Sequence, residues 1–162
     1  MAVRSFEEEL AASGTLVYTN VGVSMLPLLR EGRDVMVLQS LPRWNRPLRP
    51  GDAVLFRRPG VRGRGAYVLH RILRVLPDHR FWIVGDNCTD GETVEERNIL
   101  GVLTAVSRDG GKPVPVTDWR CRLYVRLWCR PWPLRFVILR AVRFVRRYAG
   151  ALRRRLRGGE RR

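Results

Sequence analysis

The chain of 162 residues suffices for one domain with a closed core, and its formal net charge of +16 excludes an acidic or charge-balanced surface. The charge is uneven: residues 1–118 carry 16 basic and 14 acidic side chains, whereas residues 119–162 carry 15 basic and one acidic, so a near-neutral domain gives way to a basic extension near Asp118. Cys88, Cys121 and Cys129 cannot all pair with one another and lack the close spacing of a zinc site, which points to free thiols in a reducing compartment.

Ser5-Phe6-Glu7-Glu8 fits a capping box and predicts a short helix ending near Gly14. Glu7-Glu8-Glu9 stands where a secretory leader needs a basic start and an apolar core, so no leader is expected. The uncharged run Leu10 to Leu29 has the length of a membrane span, but Ser13, Gly14, Thr15, Thr19, Asn20, Ser24 and Pro27 would leave polar groups in hydrocarbon. Leu16-Val17-Tyr18 and Val21-Gly22-Val23 are predicted strands, followed by a brief turn or helix bounded by Pro27 and Gly32. Asp34 to Leu38 alternates as a strand does, and residues 41–51, with Pro42, Pro47, Pro50 and Gly51, form a loop. Ala53 to Phe56, Ala66 to Val75, Phe81 to Val84 and Leu100 to Val106 are further strands. Turns are expected around Pro59, Gly60, Gly63 and Gly65, at Pro77-Asp78 and at Asp109-Gly110-Gly111. Short strands separated by turns predict a mainly β domain of α+β class.

Beyond Pro131-Trp132-Pro133 the period changes. Leu134, Val137, Ile138, Ala141, Val142, Val145, Tyr148, Ala149 and Leu152 recur at three- and four-residue steps, with Arg135, Arg140, Arg143, Arg146 and Arg147 between them. This predicts a basic amphipathic helix. With Trp128 and Trp132 ahead of it, residues 131–157 suit an anionic membrane face; the alternative is that the apolar stripe packs on the β domain and the arginines are solvated. Nucleic acid is a weaker expectation, because no binding motif accompanies the arginines.

Five short segments carry the chemistry: Gly22-Val23-Ser24-Met25-Leu26-Pro27, Arg49-Pro50-Gly51-Asp52-Ala53-Val54-Leu55-Phe56, Leu69-His70-Arg71, Gly85-Asp86-Asn87, and Asn98-Ile99-Leu100-Gly101-Val102-Leu103. Each alone has an ordinary structural use; in this order they resemble the signal peptidase I superfamily of serine peptidases, which includes the LexA-type self-cleaving repressors. The resemblance spans about half of the chain. It implies a signal peptidase-like β domain over residues 1–118, with the basic extension over 119–162, and a serine endopeptidase acting on exported or leader-bearing polypeptides after small residues.

A serine hydroxyl needs a base to take its proton as it attacks a carbonyl. In the common bacterial members that base is a lysine. Here the one lysine, Lys112, lies in a turn outside the segments, and His70 stands in the corresponding place, as in the family's histidine branch. An imidazole, with an ordinary pKa of about 6.5, serves as base near neutrality without a large shift. Ser24 is therefore the expected nucleophile and His70 the general base. Asp86 and Asp90 compete to orient the imidazole; the resemblance favours Asp90, at a shorter spacing than usual, leaving Asp86 to shape its turn. Backbone amides at the Ser24 turn are the expected oxyanion donors. Cys88, beside Asn87, is an ordinary thiol on this reading, and His79 is a solvated turn residue. No metal or cofactor is called for. The chain departs from the family in lacking a membrane span before the serine and in the extra arginine of Glu31-Gly32-Arg33-Asp34. A self-cleaving regulator is disfavoured, since only 23 residues precede Ser24 and the lysine base is missing; a non-catalytic peptide- or membrane-binding module is the remaining alternative.

Overall fold

The computed structural model describes residues 5–58 and 66–159, with helix side chains as far as residue 149. Ser5 caps helix α1 (Phe6–Ser13): its hydroxyl accepts from the Glu8 N–H at 3.2 Å, and the Glu8 carboxylate accepts from the Ser5 N–H at 2.7 Å. Gly14 ends the helix at φ 75°, a left-handed conformation that favours glycine, and its N–H returns to the Leu10 carbonyl.

Among the described residues eight strands form one antiparallel sheet: β1 (Thr15–Thr19), β2 (Val35–Ser40), β3 (Ala53–Arg58), β4 (Ala66–Leu76), β5 (Arg80–Val84), β6 (Gly91–Glu95), β7 (Ile99–Ser107) and β8 (Val114–Pro115). The order is β1-β2-β7-β3-β4-β5-β6, with β8 paired to β7. The fold is therefore mixed α+β. β3 lies centrally, and its side chains alternate between two cores. Ala53 and Leu55 join Leu10, Met25, Leu29 and Leu38; Val54 and Phe56 join Ile72, Phe81 and Ile83. A strand buried on both faces reads as an unbroken apolar run, as Ala53 to Phe56 does.

Two sequence expectations need correction. Val21-Gly22-Val23 is not a strand: the chain leaves β1 at Thr19 and turns, with Gly22 at φ 88°. Strands β6 and β8 are additional, as is helix α2 (Trp119–Tyr124), which is capped by Asp118 and runs into a π-helical turn over Val125–Cys129. The turns expected around Pro59, Gly60, Gly63 and Gly65 lie outside the described residues.

Helix α3 (Trp132–Gly159) follows, and among the described residues no helix is long and apolar enough to cross a membrane. One side of α3 meets the sheet. Arg135 and Leu139 are buried, and Trp132 packs edge-on against Trp82 with ring centroids 4.9 Å apart. The stripe of Leu134, Val137, Ile138, Val142, Val145 and Tyr148 does not pack on the β domain; it is exposed to solvent. Packing is decided by the other side of the helix, where two aromatics and a buried arginine meet the sheet and the Gly85–Asn87 loop.

Candidate active site

Ser24 stands on the turn between β1 and β2. Its neighbours Met25 and Leu29 are almost completely buried, each worth about 1.5–3 kcal/mol of apolar burial, and they hold the turn against the first core. The base of the excursion is closed by the Asn20 N–H donating to the Asp34 carbonyl and the Gly32 N–H donating to the Asn20 carbonyl, both at 2.9 Å. Asp34, wholly buried, accepts from the backbone and guanidinium of Arg30, whose hydrogen bonds hold this carboxyl below the usual carboxylate range. The extra arginine, Arg33, pairs instead with Asp109 at 2.8 Å.

His70 occupies the middle of β4, opposite Val54 of β3, with its ring centroid 6.1 Å from that of Phe56. The Gly85-Asp86-Asn87 loop leaves β5 and pins the Ser24 turn from above. The Asn87 N–H donates to the Ser24 carbonyl at 2.8 Å, and the Asn87 side-chain amide donates to the Val23 carbonyl at 3.1 Å. Gly85 is where the three segments meet: a Cβ there would lie 2.8 Å from the Ser24 carbonyl oxygen, 2.8 Å from Cys88 Sγ and 3.0 Å from His70 Nε2. Only a residue without a side chain fits such an approach. Gly85→Ala is expected to displace the Ser24 turn and lower any activity that depends on Ser24 roughly 10²-fold while circular dichroism stays unchanged; full activity would mean that this contact does not position the turn.

Ser24, His70, Cys88, Asp90, Glu92 and Arg143 share one cavity of about 600 Å³, whose apolar walls include Phe6, Met36, Leu55 and Leu69. Burial pushes the His70 pKa down from its ordinary value, partly opposed by the charge of Glu92 and reinforced by Arg58. This shift favours the neutral imidazole. Burial likewise raises the Cys88 thiol, although Arg143 and Arg135 pull it back in part. Cys88 consequently stays protonated and is a poor nucleophile at neutral pH.

Among the described residues neither aspartate makes a hydrogen bond or ion pair with His70. Asp90 is exposed, and among the described residues its carboxylate accepts only from the neighbouring Thr89 hydroxyl at 3.5 Å. Asp86 is fully buried and turned the other way. It receives both Nε and an Nη of Arg71 at 2.8 and 2.7 Å, the Tyr124 hydroxyl at 2.9 Å and the Cys129 thiol at 3.6 Å, with an Arg135 nitrogen 3.6 Å away. The Trp128 indole donates to the Asp86 carbonyl at 3.2 Å. Next to this carboxylate, burial pushes the Cys129 thiol up to about 12. Asp86 thus joins the site loop to the sheet and to the C-terminal helices.

The carboxylate beside Nδ1 is that of Glu92, on β6. Its Oε1 lies 3.6 Å from Nδ1, within ion-pair range but beyond a hydrogen bond, which leaves buried Nδ1 without a hydrogen-bond partner. Arg58 grips the same carboxylate, its Nε donating at 2.8 Å. Because Glu92 favours protonated His70, Glu92→Gln is expected to lower the His70 pKa further, read by NMR titration of the imidazole; an unmoved titration would separate Glu92 from His70. The sign for stability is the same as for burial alone. The folded pKa is depressed, so the contribution of neutral His70 is complete above about pH 6.5 and is lost as pH falls from there toward the folded value.

Two residues of the site went unread in sequence. Glu92 was hidden because β6 is polar and short, although Glu92-Thr93-Val94-Glu95 does alternate. Arg143 reaches over from α3, donating to the Asn87 carbonyl at 2.6 Å and the Thr89 hydroxyl at 3.3 Å. Its signal was lost among the arginines of the stripe. Among the described residues no group of three or more His, Cys, Asp or Glu is placed to hold a metal ion. No protein-family model matches the chain, and no curated protein or solved structure matches it either.

Proposed function

We propose that the chain is a serine endopeptidase of the signal peptidase I type, with a β domain akin to that superfamily, in which Ser24 is the nucleophile and His70 the general base. The observation that carries the reading is the convergence at Gly85 of the Ser24 carbonyl and His70 Nε2 beside one cavity, since two of the five sequence segments meet there only because a third brings them together.

Ser24 Oγ attacks the scissile carbonyl while Nε2 of His70 takes its proton. The N–H groups of Ser24 and Met25 have no hydrogen bond among the described residues, which leaves them to the oxyanion of the tetrahedral intermediate. His70 then gives its proton to the leaving amine, and a water activated by the same imidazole hydrolyses the acyl-enzyme. Glu92 favours the transient imidazolium from the Nδ1 side. Among the described residues no hydrogen bond joins the Ser24 hydroxyl to His70; bonds of this kind often tighten only in the substrate complex.

The reading is tested with a library of leader-peptide substrates, with cleavage read by mass spectrometry in the presence of anionic vesicles. Cuts following small residues are expected. Failure to cut any member, from protein that is folded by circular dichroism, would reject the activity.

A further inference from the structure

A second cleft, of about 530 Å³, opens between the loop before β3 and the helical turns after Asp118. Arg122, Arg126 and Arg130 recur along one side of α2 and its π-helical continuation, and Arg49 faces them from the loop. None of the four has an acidic partner among the described residues. The one carboxylate lining the cleft, Asp52, is already held by Arg46 in two hydrogen bonds of 2.9 and 2.7 Å. Arg71, deeper in the wall, is committed to Asp86 and the Gly51 carbonyl. Four exposed guanidinium groups without a carboxylate partner among the described residues make the concavity strongly positive, and the planar fork of arginine matches phosphate oxygens.

We propose that this cleft binds a phosphate group, that of an anionic lipid at a membrane surface. The choice of lipid over a soluble phosphate rests on the next residues of the same turns. Leu123 and Leu127, beside Arg122 and Arg126, are exposed, and α3 continues with exposed Leu134, Val137 and Val145. Apolar side chains interleaved with arginines suit the boundary between headgroups and acyl chains, where burial of the first and phosphate contacts of the second add. A nucleic acid would use the arginines but leave these apolar groups in water. The cleft is separate from the candidate active site, so the proposal is tested by binding alone and does not depend on cleavage.

The experiment is flotation of the full chain with phosphatidylcholine vesicles with and without about a third phosphatidylglycerol, alongside titration calorimetry with inorganic phosphate and with a short oligonucleotide. Arg122→Gln/Arg126→Gln is compared with Arg140→Gln/Arg147→Gln, which removes equal charge from α3 outside the cleft. Binding to anionic but not neutral vesicles is expected, weakened roughly 10- to 30-fold by the cleft variant and distinctly less by the control. These arginines are exposed and unpaired, so the variants should fold; thermal unfolding checks this. Equal losses in the two variants, or no vesicle binding, would overturn the lipid site. Cleft-dependent binding of inorganic phosphate without vesicle binding would assign a soluble phosphate ligand instead, and cleft-dependent binding of an oligonucleotide without vesicle binding would assign nucleic acid; either result overturns the lipid.

Discussion

Ser24→Ala and His70→Ala are each expected to lower kcat/KM for leader-peptide cleavage by about 10⁴-fold or more, and the double variant to lose little beyond either single. In the proposed mechanism nucleophile and base act as one unit, so removing either removes most of what the pair supplies, and the residue left behind has nothing to activate or to be activated by. Neither change should unfold the protein. Ser24 is half-buried on a turn held by Met25, Leu29 and the Asn87 contacts, and its hydroxyl is not needed for any of these. His70 is buried, so His70→Ala leaves a cavity beside Phe56; His70→Gln, which fills the space without supplying a base of matching pKa, is the companion variant. Cleavage that survives all three substitutions would reject the catalytic assignment. The pH profile adds an independent check. A base whose pKa is depressed by burial keeps its activity below pH 6.5, and an acid limb centred above that value would belong to another group.

Asp86→Ala is expected to be the most damaging substitution to stability, costing about 3–5 kcal/mol, or roughly 10 °C in Tm for a domain of this size. Its carboxylate is the shared acceptor for Arg71, Tyr124 and Cys129, and Arg135 stands beside it with all three guanidinium nitrogens buried and without a hydrogen-bond partner. Removing the one acid would leave two arginines, 3% and 1% exposed, as uncompensated buried charges. The ion pair offsets its own desolvation only while both partners are present, which makes breaking it costly even though an apolar replacement of the whole network would be mild. Because Tyr124 and Trp128 grip the same residue, the C-terminal helices should loosen with it. Limited trypsin digestion should cut within residues 119–149 faster in Asp86→Ala than in the parent. A loss under 1 kcal/mol by urea unfolding, with unchanged digestion, would mean that the network is not what holds these helices.

What could be read from the sequence was local. The capping box at Ser5 to Glu8 lies within four residues and needs no tertiary partner, and the apolar runs of β3, β4 and β5 follow from which side chains leave water. The segments around Ser24 and His70 likewise share the first cavity, and Gly85 stands against both. Strand β6 was missed because a polar edge strand has one neighbour and little apolar burial, so its pattern is faint: of Gly91 to Glu95 only Val94 is buried.

Tertiary structure alone decided the rest. Which carboxylate faces His70 depends on the pairing of β5 with β6, where Glu92 lies opposite Ile83, and no spacing along the chain encodes that register. The role of Asp86 depends on residues 38 to 49 positions away, whose contacts exist only once α2 and α3 have docked. The same docking fixed the orientation of the basic helix. Periodicity determined from sequence that α3 has an apolar stripe, but not whether the stripe would be covered. The buried acid, with the arginine and aromatic rings packed around it, turned the opposite side inward and left the stripe facing outward. A stripe fixes only relative direction around one helix, whereas its partner is set by long-range packing and charge that the local pattern does not contain.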